Sequence, residues 1–168
     1  GRLIQPGSRC FDVGGALGYH ALVMARLSQR PVVVFEPGAG WPERIDRALA
    51  RNGMSGRVEA VFVGGTISDD VTTIDAMAEK HFVPDFIKMD IEGAEVEALE
   101  GAEKTLSTPQ PAMIIEVHGV EVERQCLETL DRYDYRLRVI NPRTWLKEYR
   151  PIENNRWLVC QGRKGSII

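Results

Sequence analysis

With 168 residues, 43% of them hydrophobic and 27% charged, the chain has the size and composition of one globular domain with an ample core. A net charge of −3, from 21 basic and 24 acidic residues, speaks against nucleic acid as a main partner. Three widely spaced cysteines (Cys10, Cys126, Cys160) form no metal-binding pair or disulfide framework, and no apolar run is long enough to cross a bilayer, so a reducing, cytoplasmic setting away from membranes is expected.

Strand and helix signals alternate along the chain. Ser8–Val13 reads as a first strand, followed by a helix over residues 18–29. Pro31–Glu36 is an unbroken apolar run of the kind buried on both faces of a parallel sheet. A helix is predicted from Pro42, which suits a first turn, to Asn52, with Gly53 just past its end. Val58–Val63 reads as a third strand, Asp75–His81 as a short helix and Pro84–Asp90 as a fourth strand. Gly93–Leu106 carries Val96, Leu99, Ala102 and Leu106 at helical spacing. Ala112–His118 is a fifth strand and Val120–Tyr133 a helix. Arg136–Ile140 and Trp157–Gln161 close the chain as an antiparallel pair. The basic residues Arg132, Arg136, Arg138, Arg143, Lys147 and Arg150 fit a solvated face. The pattern is that of a single doubly wound α/β domain over residues 1–168.

In such sheets ligands bind beyond the carboxyl ends of the strands. Three strands here end in acids: Phe11-Asp12, Phe35-Glu36 and Met89-Asp90-Ile-Glu92-Gly93. Gly14, Gly15 and Gly18 after the first strand allow a sharp turn and close backbone approach. The dinucleotide fingerprint needs glycine where Val13 stands, so the spacing is acid-x-Gly-x-x-x-Gly instead. Glu36 follows at the distance expected of a ribose-binding acid. Lys88 shares a strand face with Asp90 and needs buried partners, for which Asp12 and Glu116 are the candidates. His118, at the end of the fifth strand, is the best candidate base. Asp90 and Glu92 are read as functional, or as caps of the following helix. His20 stands near the same edge, His81 reads as surface, and Trp145 and Trp157 read as hairpin packing or a cover. A divalent ion on Asp90, Glu92 and Glu116 would suit hard oxygen ligands, but the spacing does not single one out and no metal is expected.

Together, Asp12-Val-Gly-Gly-Ala-Leu-Gly-Tyr19, Phe35-Glu-Pro37, Thr73-Ile-Asp75, Ile87-Lys-Met-Asp-Ile-Glu-Gly-Ala-Glu95, Leu99-Glu-Gly-Ala-Glu-Lys-Thr-Leu106 and Ile114-Ile-Glu-Val-His118 resemble the FkbM-type family of S-adenosylmethionine-dependent methyltransferases. The resemblance implies a Rossmann-like doubly wound sheet of about seven strands, mostly parallel with an antiparallel final strand, the class I methyltransferase fold. It implies that Asp12, Gly14, Gly15, Gly18, Glu36 and Asp90 hold S-adenosylmethionine. His118, Asp90 and Glu92 would serve transfer to a hydroxyl of a small molecule or glycan. The chain departs from the family in having Gly15-Ala16 for Ala-Asn, a trimmed stretch before Thr73 that leaves Gly64-Gly65 to meet adenine, and few residues before the first strand. It opens at Gly1 without methionine, which points to a partial chain without the N-terminal segment that covers the substrate, and a homo-oligomer is an open expectation. The alternatives are a non-catalytic binding module derived from a methyltransferase and a nucleotide-sugar or NAD-dependent enzyme.

Overall fold

The computed structural model describes residues 3–140 and 155–163; Arg143, Trp145, Lys147 and Arg150 lie outside them. The first half runs β1 (Cys10–Val13), α1 (Tyr19–Ser28), β2 (Val32–Phe35), α2 (Trp41–Arg51), β3 (Gly56–Glu59), β4 (Phe62–Val63), β5 (Val71–Thr72) and α3 (Ile74–Lys80). The second half runs β6 (Phe86–Met89), α4 (Glu95–Glu100), α5 (Glu103–Ser107), β7 (Ala112–His118), α6 (Val120–Arg132), β8 (Tyr135–Ile140) and β9 (Asn155–Gly162). Seven strands form one sheet in the order β3-β2-β1-β6-β7-β9-β8. All neighbours are parallel except β9, which runs antiparallel between β7 and β8. The expected mostly parallel sheet with an antiparallel final strand is therefore present.

Strands β1, β2 and β6 are buried at every position, which is why they read as continuous apolar runs rather than alternating ones. Their alternating side chains feed two cores. One face packs Cys10, Val32, Val34 and Phe86 against Ala21, Met24, Ile45 and Leu49 of α1 and α2. The other packs Phe11, Val13, Ile87, Met89, Met113 and Ile115 against Ala98, Leu99, Leu106, Cys126 and Leu130 of α4 to α6. Strand β7 alternates strictly: Met113, Ile115 and Val117 are fully buried, whereas Ala112, Ile114, Glu116 and His118 on the opposite face are only partly covered.

Two elements differ from their sequence reading. The expected third strand over 58–63 breaks after Glu59: β3 pairs with β2, while β4 joins β5 in a separate two-stranded sheet. The single helix expected over 93–106 is two helices. Asp75, on α3, accepts hydrogen bonds from the backbone N–H groups of Lys104 (2.8 Å) and Thr105 (2.9 Å) and from the Thr105 hydroxyl (2.7 Å), so a carboxylate from elsewhere caps a new helix start.

The sheet order reverses between β1 and β6, and there the two strands are joined by charge. Lys88, 3% exposed, places its ammonium 2.5 Å from the Gly14 carbonyl, 3.3 Å from Asp12 Oδ1 and 3.9 Å from Asp90 Oδ2. The register neighbour of Lys88 on β7 is Ile114, so Asp12 and Asp90, rather than Glu116, are its partners here. Burial raises the Asp12 carboxyl to about 6 against the pull of Lys88, and the nearby Asp90 charge adds to the rise.

Replacing Lys88 with Met is expected to destabilise the domain by about 3–5 kcal/mol near pH 8, because it leaves a buried carboxylate unpaired. Asp12 titrates near 6 when folded and near its ordinary 3.8 when unfolded, so between those values the fold binds a proton that the unfolded chain does not, and acid favours folding there. Without Lys88 that uptake begins at higher pH, so the loss is expected to shrink between about pH 8 and pH 5. Urea denaturation at both pH values measures this, and an equal loss at both would contradict it.

Candidate active site at the carboxyl edge

The loop after β1 turns with Gly14 at φ +81°, and a Cβ there would lie 1.8 Å from the Asp90 carbonyl oxygen, so the approach of the two strand ends requires glycine. Ala16 also has a positive φ, of 43°, and its N–H donates to Glu36 Oε2 at 2.7 Å. Glu36 Oε1 accepts from the Gly38 N–H at 2.9 Å. One carboxylate thus ties the glycine loop to the end of β2.

Between this loop and the end of β6 lies a cleft of about 290 Å³. Its apolar side is Val13, Phe35, Val61, Phe62 and Val63, and its polar side is Glu36, Asp90 and Glu92. Gly14 and Ala16 form the rim. The predicted residues divide accordingly. Gly14, Glu36, Asp90 and Glu92 line the cleft. Asp12, fully buried, stands behind it on Lys88; a Cβ on Gly15 would strike Val34 at 2.3 Å, and Gly18 packs near Ile45 and caps α1. Gly64 and Gly65, expected to meet adenine, turn toward Gly101 and Glu97, and Val61, Phe62 and Val63 line the cleft.

Past β6 the chain turns through Glu92 (φ 56°) and Gly93 (φ 110°). The turn is held from beneath by Glu95, fully buried, whose Oε1 accepts from the Gly93 N–H at 3.1 Å and the Ile91 N–H at 3.4 Å. Neither Asp90 nor Glu92 caps α4, whose N-cap is Ala94 with no side-chain bond. The same Glu95 oxygen lies 2.8 Å from Nδ1 of His118. A carboxylate acceptor there takes the Nδ1 proton, which turns Nε2 toward the acids of the turn. That nitrogen faces Glu92 Oε2 at 3.5 Å and Asp90 Oδ1 at 3.6 Å. The arrangement is an imidazole oriented by a buried carboxylate.

Sequence reasoning assigned no role to Glu95, although it lies in the acidic run; the signal was there, but only the fold shows that its side chain turns inward. Asp90, Glu116 and His118 each offer a donor atom within 4.8 Å of the others, so among the described residues this trio could hold a divalent ion, with Glu116 and His118 in it and Glu92 outside. His20 is half-buried with its ring 6.0 Å from that of Trp157; burial, then the charge of Lys88, lowers its pKa, and Asp90 opposes them. His81 is not at a free surface: its Nε2 lies 2.9 Å from Glu59 Oε1, with only 14% of the side chain exposed.

Comparison with known proteins gives this edge its context. The methyltransferase FkbM domain matches residues 46–139. No curated protein matches the sequence. Among solved structures, methyltransferase FkbM from Methylobacillus flagellatus superposes with a TM-score of 0.73 at 22% identity, over 92% of this chain and 43% of that one, so the chain spans less than half of that relative's length. An rRNA methylase from Streptococcus thermophilus gives 0.68 at 14% identity, over 96% and 90% of the two chains. Streptococcus pneumoniae Sp1610, solved with S-adenosyl-L-methionine, gives 0.64 at 13% identity, over 94% and 67%. The family match covers more than half of the sequence and includes the acidic turn and His118. This chain belongs to the FkbM methyltransferase-domain family.

Proposed function

We propose that the domain transfers the methyl group of S-adenosylmethionine to a hydroxyl oxygen, with His118 as the base. The observation that carries this reading is the buried Glu95–His118 pair, which fixes the ring with Nε2 beside Asp90 and Glu92 at the rim of the cleft.

The cleft suits the donor by the chemistry of its walls. Phe35, Val61, Phe62 and Val63 offer an apolar surface for a base, while Glu36 can accept hydrogen bonds from ribose hydroxyls. Asp90 and Glu92 place negative charge where a cationic sulfur and an amino group would be welcome. The same walls disfavour a dinucleotide or nucleotide sugar: three carboxylates line the cleft and none of its lining residues is basic, so a diphosphate would meet repulsion. When bound, S-adenosylmethionine supplies an electrophilic methyl group on a good leaving group. The chain's own tasks are then to hold the acceptor in line, exclude water and take a proton. His118 Nε2 receives the hydroxyl proton, and Glu95 stabilises the imidazolium that results.

Isothermal titration is expected to show micromolar binding of S-adenosylhomocysteine and no binding of NAD. Glu36→Ala is expected to weaken S-adenosylhomocysteine at least about tenfold, roughly 1.4 kcal/mol. NAD binding in place of S-adenosylhomocysteine would reject the donor assignment.

His118→Gln is expected to leave S-adenosylhomocysteine affinity within about twofold while lowering methyl transfer by roughly 10²–10⁴-fold, the usual worth of a positioned base. Single-turnover transfer from labelled S-adenosylmethionine is the readout. Unchanged transfer in that variant would remove His118 from the reaction, and full loss in EDTA with His118 intact would move the chemistry to an ion on Asp90, Glu116 and His118.

A further inference from the structure

We propose that Asp90, Glu116 and His118 form a binding site for a divalent ion of the zinc type, and that the bound ion switches methyl transfer off. The site stands on the geometry of the edge, whereas its effect on transfer rests on the proposed function.

The spacing of the donors is the first observation. Asp90, Glu116 and His118 each offer one donor atom, and the three atoms lie within 4.8 Å of one another. His118 Nε2 is 3.6 Å from Asp90 Oδ1, beyond the N···O distance of about 2.7–3.2 Å that a hydrogen bond requires. The separation suits two atoms that share one ion. With metal–ligand bonds of about 2.0–2.2 Å, neighbouring ligands stand roughly 3.0–3.5 Å apart. Glu116 is half-buried, so a side-chain rotation can bring it closer. It has two oxygens, and one can ligate while the other keeps its own partner.

The second observation is what stands behind the ring. Glu95, fully buried, lies 2.8 Å from His118 Nδ1. A histidine that binds a metal through one nitrogen characteristically donates its other N–H to a carboxylate, which fixes the ring and makes the ligating nitrogen more basic. Glu95 also holds the Ile91 and Gly93 N–H groups of the turn that presents Asp90. One buried side chain thus steadies two of the three donors.

Charge points the same way. Asp12, Asp90, Glu92 and Glu95 crowd this edge, and among the described residues Lys88 is the one permanent cation paired with any of them. Glu95 Oε2 is buried without a hydrogen-bond partner. A divalent charge on the outer side of His118 offsets this excess.

The donor set selects the ion. One imidazole nitrogen with two carboxylates suits Zn²⁺, whereas Mg²⁺ and Ca²⁺ take their ligands from oxygen. The donors come from the end of β6 and from β7 themselves, so the site does not depend on what covers the neighbouring sheet face. Ligation at Nε2 displaces any proton there and occupies the lone pair that would take the hydroxyl proton. Ion binding and proton acceptance therefore exclude each other, and release of the ion restores the base.

The test uses Co²⁺, which occupies zinc-type sites and absorbs visible light when bound in them. It is titrated into the wild type, Glu116→Gln, His118→Gln and, away from this edge, His81→Gln, with a thermal melt of each protein to report its folding. The expected result is micromolar Co²⁺ binding with visible bands, displaced by Zn²⁺ and not by Mg²⁺. Binding is expected to be intact in His81→Gln, at least about tenfold weaker in Glu116→Gln and lost in His118→Gln. In single-turnover transfer by the wild type, Zn²⁺ is expected to lower the rate at least about tenfold and EDTA to restore it. Undiminished Co²⁺ binding in folded His118→Gln, or loss in His81→Gln instead, would overturn the site. His118-dependent Co²⁺ binding with transfer unchanged or accelerated by Zn²⁺ would overturn the switch. His118-dependent Co²⁺ binding in a protein that neither binds S-adenosylhomocysteine nor transfers methyl would support the site while rejecting the methyl-transfer reading, and the switch with it.

Discussion

The ammonium of Lys88 is the constraint on which the carboxyl edge is built. It sits in a strand buried at every position, where an unpaired charge would be too costly to keep. Its partners are the Gly14 carbonyl, Asp12 and Asp90, which belong to the two strands between which the sheet order reverses. Satisfying Lys88 therefore brings the glycine loop and the end of β6 together. Glycine at position 14 lets that contact close, since any side chain there would collide with the Asp90 carbonyl. The cleft lined by Glu36 and Asp90 is the space left between the two strand ends.

A second buried charge organises the other half of the edge. Glu95 holds the Asp90–Gly93 turn through two backbone N–H groups and fixes the His118 ring through Nδ1. Glu95 opens α4 just after β6 and His118 ends β7; two helices lie between them in the chain, yet β6 and β7 are neighbours in the sheet and their ends meet. Because Glu95 is fully buried, its hold on the ring is shielded from water and screening ions. Lys88 and Glu95 thus set the two sides of Asp90, the residue closest to everything the edge does.

Much of the fold was legible because parallel strands buried on both faces leave long apolar runs, and because proline and glycine mark helix ends. Strands β1, β2, β6 and β7 and the closing antiparallel pair lie where the pattern places them. The misreadings have a common cause. Val58–Val63 looks like one strand because its residues are β-branched and apolar, yet its two halves find partners in different sheets. Residues 93–106 keep helical spacing throughout, yet Asp75 reaches across from α3 to start a second helix. In each case a distant partner outcompeted the local pattern.

For the site, the sequence by itself determined which side chains stand at strand ends: Asp12, Glu36, Asp90, Glu92 and His118 are read from where apolar runs stop. It also determined that Lys88 must find carboxylates, since a charge inside such a run has no other way to be stable. Only the tertiary structure decided how these residues are used. Asp12 supports the cleft from behind, Glu36 and Asp90 line it, and Glu95 turns inward to orient His118. The physical reason is that a strand's end follows from its own residues, whereas the direction and partner of a side chain there depend on the register and covering of strands far away in the chain.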